Sequence, residues 1–114
     1  MPKPTRHYSR RQEKRVANEL SGKTTANSGA TSFSKGDVLS DDCCIECKTL
    51  TKPQKTHSIK KEWLDTIQNE KMAMGKRFGI VIFDFGTQKA NDQYAILKMS
   101  DFKELMKIYE NIEE

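Results

Sequence analysis

The sequence predicts an α/β domain, a mixed central sheet flanked by helices in the order α-β-β-α-β-β-α. Three features carry this. Phe78-Gly79-Ile80-Val81-Ile82-Phe83-Asp84-Phe85 is a near-continuous apolar run, the signature of a strand buried on both faces. Residues 37–39 and 43–50 are short strand-like stretches separated by Ser40-Asp41-Asp42, which reads as a hairpin. Apolar residues at helical spacing occur before, between and after these strands.

Residues 1–8, with Pro2, Lys3, Pro4, Arg6 and His7, read as a flexible basic arm, followed by a single domain over 9–114. Ser9 and Gln12 have the capping-box spacing that opens a helix. Val16, Ala17 and Leu20 form its apolar stripe, and Gly22 is its expected stop. Residues 22–36 show no periodicity and read as a loop, with an extended stretch near 31–33. After the hairpin, residues 51–56 are a polar connection containing Pro53. Ser58 is the expected cap of a helix over 59–74, whose apolar face is Ile59, Trp63, Ile67 and Met74, with Leu64 and Met72 beside it. Gly75 ends it, and the strand over 78–85 follows. Asn91-Asp92 is a turn, 94–98 a strand, and Ser100 caps a last helix with Phe102, Leu105, Met106 and Tyr109 facing inward.

The 114 residues suit one modest core. The net charge of +4 is unevenly spread. Residues 1–61 hold 13 Lys/Arg against 6 Asp/Glu, a balance of +7, whereas residues 62–114 hold 7 against 10, a balance of −3. One basic half points to a polyanion-binding face, although a solvated surface also accounts for it. No apolar run is long enough to cross a bilayer and the N-terminus lacks a signal-peptide core, so an intracellular, cytoplasmic protein is expected. Cys43, Cys44 and Cys47 do not form a disulfide framework. Cys44 and Cys47 have zinc-ligand spacing but would point to opposite faces of a strand, which favours buried thiols. His57 lies in a loop with no visible partner and is a weak candidate base.

Strand alternation places Glu46 and Lys48 on one face with Cys44, and Ile45 and Cys47 on the other. Asp37 lies nine residues before Glu46, and a hairpin turning at 40–42 brings it toward Glu46. Two carboxylates can hold a hard divalent cation. Such a cation lowers the pKa of water and offsets phosphate charge, and an adjacent ammonium can orient the nucleophile or stabilise the transition state. The plainer readings are a turn residue for Asp37 and a same-face ion pair for Glu46 and Lys48.

Gly36-Asp37 followed by Glu46-Cys47-Lys48 resembles the PD-(D/E)xK nuclease superfamily, with Gly36 where the pattern has proline. Glu13 resembles the helix glutamate that many members place over the metal. Asn27-Ser28-Gly29 resembles the Ser-Gly loop of archaeal-type Holliday junction resolvases. The resemblance covers residues 9–85 and implies a restriction-endonuclease-like fold. It implies a Mg²⁺-dependent, structure-selective DNA endonuclease, with Mn²⁺ able to substitute. Asp37, Glu46, the Cys47 backbone carbonyl and Glu13 would be ligands and Lys48 would activate water. Ser28, with Asn27 and Gly29, would touch DNA, and Arg10, Arg11, Arg15 and Lys35 would contact phosphates. Gln68 on the following helix is a weaker candidate, more often structural at such a place. Glu13 could equally pair with Arg10 or Lys14 along its helix. The resemblance further implies a homodimer acting on a four-way junction, located in the host cytoplasm if the gene is a phage's. Two rivals remain: another nuclease of the superfamily (nicking, restriction-like or end-processing), and a basic nucleic-acid-binding module without turnover.

Overall fold

The computed structural model describes residues 5–25 and 37–113. Expectations placed on residues 1–4 and on Asn27, Ser28, Gly29 and Lys35 lie outside the described residues. In chain order the elements are α1 (Thr5–Glu19), β1 (Lys23–Thr24), β2 (Val38–Leu39), β3 (Cys43–Lys48), α2 (Lys61–Ala73), β4 (Phe78–Phe83), a short 3₁₀ turn (Ala90–Asp92), β5 (Tyr94–Leu97) and α3 (Met99–Glu113). The five strands form one sheet in the order β1-β2-β3-β4-β5. β3 and β4 are parallel, linked by α2, and the other pairings are antiparallel. The architecture is therefore an α/β mixed sheet with three helices among the described residues.

β4 is an interior strand between β3 and β5, and all but Ile80 of its residues are buried, as its unbroken apolar run requires. One sheet face carries Val38, Ile45, Cys47 and Ile82 against Val16 and Ala17 of α1. The other carries Cys44 and Val81, flanked by Leu39 and Ile96, against Ile67, Trp63 and Leu64 of α2. Burial of a Val or Ile side chain is worth about 1.5–3 kcal/mol, so the two faces together supply the main cohesion.

Several boundaries differ from the sequence reading. The first helix starts at Thr5, so residues 5–8 are helical and not an arm. The Ser9–Gln12 spacing is a local signal that an upstream turn overrides, and Gln12 is fully buried instead of capping. The helix terminus is made by Ser21, at φ 54°, and not by Gly22. α2 starts at Lys61, with Lys60 at the cap position making no side-chain cap bond, so Ser58 has no such role. Gly75, at φ 65°, does close α2 in the left-handed conformation. β1 is an added strand, paired to β2 through Lys23 opposite Leu39.

The largest difference concerns α3. Phe102, Leu105, Met106 and Tyr109 are 46%, 41%, 36% and 53% exposed, not inward-facing. The rotation of this helix is set by Asp101, which is buried to 3% exposure. Its Oδ2 accepts from the Gly79 N–H at 3.0 Å and from Gln68 Nε2 at 2.9 Å, and its Oδ1 pairs with Lys71 Nζ at 3.0 Å. Arg77 Nε donates to Glu104 at 2.7 Å, one turn further on. A carboxylate drawn into the body by three donors outweighs an apolar stripe that has no surface of the fold to meet.

Candidate active site

The β2–β3 hairpin builds the site. Ser40 closes the turn, its N–H donating to the Cys43 carbonyl and its Oγ accepting from the Cys43 N–H. Val38 pairs with Ile45, and Asp37, one residue earlier, sends its N–H to the same Ile45 carbonyl and so sits irregularly at the start of β2. Val38 and Ile45 face α1, and alternation along β3 turns Glu46 to the α2 face. The Cys47 N–H donates to Asp37 Oδ2 at 2.9 Å, a bond that fixes the carboxylate at the mouth of the hairpin. The Ile45 carbonyl accepts from the Asp37 N–H on the same strand edge. A strand residue sends its N–H and C=O the same way, so the Cys47 carbonyl also points toward Asp37.

Lys48 Nζ lies 3.2 Å from Glu46 Oε1 and 4.8 Å from the centroid of the Trp63 ring. Their side chains are 30% and 24% exposed for Lys48 and Glu46. Despite this ion pair, the Glu46 carboxyl is pushed up to about 7, by burial first and by the nearby Asp37 charge second. Lys48 pulls in the opposite direction without winning, and Glu70 of α2 adds a smaller upward push. Burial and the Asp37 charge together thus outweigh the single ammonium of Lys48. The available oxygens, two carboxylates and a carbonyl, suit Mg²⁺, which commonly takes one or two carboxylates and keeps several waters.

Glu46 gives a pH signature with a definite sign. Its folded pKa is raised above the ordinary 4.5, so the fold prefers the protonated form. Its contribution falls as pH rises from about 4.5 through 7. The stability of the chain relative to Glu46→Gln should therefore decline over that window in chelator, and decline less in Mg²⁺. Urea unfolding at pH 5, 6, 7 and 8 measures this, and parallel curves for the two chains would refute it. Mg²⁺ binding near pH 6 should also release protons, read from calorimetry in buffers of different ionisation enthalpy.

Other candidate residues are distributed as follows. Glu13 is half-buried on α1, which covers the opposite sheet face; its charge is felt at the Cys47 thiol. Among the described residues no three His, Cys, Asp or Glu side chains form a metal-holding group, so Glu13 is not brought into one cluster with Asp37 and Glu46. The reason is the sheet itself, which lies between α1 and the Glu46 face. Arg10 and Arg11 are exposed on α1, and Arg15 is half-buried. Gln68 donates to Asp101 and to the Gly79 carbonyl, a tie between α2, β4 and α3. Cys44 and Cys47 are buried on opposite faces, and burial pushes the Cys44 thiol up to about 12 and the Cys47 thiol further in the same direction. Neither is poised as a metal ligand.

The support beneath Lys48 was not read from the sequence. Gln12 Nε2 donates to the Lys48 carbonyl at 2.7 Å and to Gln93 Oε1 at 3.0 Å. The Asp84 N–H also donates to the Lys48 carbonyl, at 3.3 Å. The fully buried Asp84 accepts from Thr49 Oγ1 at 2.6 Å, the Gly86 N–H at 2.8 Å and Gln93 Nε2 at 2.8 Å. His57 donates from Nδ1 to the Asp84 carbonyl at 2.7 Å, with its ring among Trp63, Phe83 and Phe85. A polar residue inside an apolar run, as Asp84 is, was the one signal available for this network.

No helix among the described residues is long and apolar enough to cross a membrane. Comparisons with family models, with curated proteins and with solved structures gave no match.

Proposed function

We propose that this chain is a Mg²⁺-dependent DNA endonuclease of the PD-(D/E)xK type, with a restriction-endonuclease-like fold and a preference for branched DNA such as a four-way junction. One observation supports the reading: the Cys47 N–H, between Glu46 and Lys48, holds the Asp37 carboxylate, and Lys48 pairs with Glu46 on one face of the strand. When bound, Mg²⁺ would make water nucleophilic near neutral pH and offset charge on the scissile phosphate.

The side chains divide the remaining work. Asp37, Glu46 and the Cys47 carbonyl hold the ion, with Mn²⁺ accepted by the same oxygens. Lys48 Nζ donates to the attacking water or to a phosphate oxygen, and its place over Trp63 limits where it can swing. Glu13, on the α1 side of the sheet, acts on this reading only through its charge, which reaches Cys47. Arg10, Arg11 and Arg15 give α1 a basic side for phosphate contacts that position DNA without reading sequence. The junction preference and a pair of two-fold-related sites are supported by the resemblance alone.

Cleavage assays on a four-way junction, a flap, a nicked duplex and a linear duplex test the reading. Expected are paired nicks in the junction that require Mg²⁺ or Mn²⁺, with the linear duplex spared. Equal cutting of linear duplex would overturn the junction preference. DNA binding with no cutting of any substrate in either metal would make the chain a non-catalytic binding module.

A further inference from the structure

α3 is tied to the fold at its first two turns, through Asp101 and Glu104, and packs sparsely beyond them. At 100° per residue the half-buried Ile108 continues the line of Asp101 and Glu104, the two residues bonded to the body. Phe102, Leu105 and Met106, with Tyr109 a turn beyond, lie on a line rotated away from it. All four are exposed, and Met99 before them is 69% exposed. Spacing of three, four and seven residues is that of a helix–helix contact seam. Soluble chains seldom leave such a seam in water.

We propose that α3 packs antiparallel against α3 of a second copy of this chain. The rim charges select that occupant. Lys103 and Glu110 are both exposed and stand seven residues apart, on one flank of the seam. In an antiparallel two-fold pair the same flank of each helix faces the other and runs in reverse. Lys103 then meets Glu110 of the second copy, and Glu110 meets its Lys103, so one operation satisfies both charges on both chains. The register that achieves this puts the axis between Met106 and Lys107, within the span of the apolar seam. A parallel pair would instead bring Lys103 level with Lys103. The surface does not depend on the nuclease reading, and a dimer that cuts nothing would still bear it out.

Sedimentation velocity and light scattering on the full chain at micromolar concentration read the result. The expected species is a dimer. Leu105→Asp should weaken it by roughly a hundredfold, with the far-UV spectrum unchanged. Lys103→Glu alone and Glu110→Lys alone should each weaken it by roughly tenfold, and the double exchange K103E/E110K should restore it. The exchange variants touch only exposed positions, so the test survives if Leu105→Asp fails to fold. A monomer throughout the concentration range would overturn the proposal. So would a dimer that Leu105→Asp leaves intact, or single exchanges that the double one does not rescue.

Discussion

Lys48→Ala should lower metal-dependent DNA cleavage by roughly 100- to 1000-fold, the loss typical of removing a charge-stabilising donor from a reaction centre. The fold should survive, because the Lys48 ammonium sits over Trp63 at a partly exposed place where such a contact is worth about 0.5–1 kcal/mol. The backbone of Lys48, held by Gln12 and Asp84, is unchanged by the substitution. Losing the ammonium also removes the charge and the hydrogen bond that draw the Glu46 carboxyl down, so the pH at which cleavage reaches its plateau should move upward. Asp37→Asn is the companion variant. It keeps an acceptor for the Cys47 N–H and removes only charge, so stability should hold while cleavage is lost. Single-turnover rates with saturating Mg²⁺, beside urea unfolding curves, separate chemistry from folding. Wild-type rates in both variants would mean that the hairpin triplet is an ordinary ion pair.

Asp101→Ala should be the most damaging substitution for stability. It strips the partner from Lys71, whose side chain is only 16% exposed, and leaves the Gly79 N–H and the Gln68 amide without their acceptor. Breaking a buried pair on one side costs about 3–5 kcal/mol. At ~4–8 °C per kcal/mol for a domain near this size, the midpoint of thermal unfolding should drop by roughly 12 °C or more. Burial alone would raise the Asp101 carboxyl, but the bonds from Gln68, Gly79 and Lys71 outweigh it and hold the group below the usual carboxylate range. Its contribution is therefore present above the ordinary carboxylate pKa and fades as pH falls through the lowered value. The Asp101→Ala chain should lose less stability on acidification than the wild type. Equal urea midpoints for the two at pH 7 would contradict this account.

The sheet was legible in the sequence where periodicity is strong. The run around Val81 announced a doubly buried strand. The alternation through Cys44, Ile45 and Cys47 assigns each to the face on which it is buried. Helix faces were less legible. A 3.6-residue period locates a stripe on α3 but does not say whether that stripe or a single well-bonded carboxylate turns toward the body, and here Asp101 decides. Gln12 was hidden for a related reason. Its spacing from Ser9 suggested a local cap, whereas its bonds go to Lys48, Ile82 and Gln93, far along the chain. Glu13 illustrates the limit for the site: a helix glutamate at the expected place in sequence reaches the metal only if α1 crosses the hairpin mouth, and tertiary packing alone fixes that.

The grip on the Lys48 carbonyl also bears on how the molecule matures. Gln12 binds residues 36, 70 and 81 positions away, joining the first helix to β3, β4 and the approach to β5. No fragment that ends before Gln93 can complete it, and ties of such long sequence separation form late because chain closure must precede them. The hairpin can arise early as a local structure, but its lysine acquires a fixed anchor only when the last strand arrives. On the proposed nuclease reading, a nascent or partly unfolded chain would carry Asp37, Glu46 and Lys48 without their alignment, a built-in delay between synthesis and the capacity to cut.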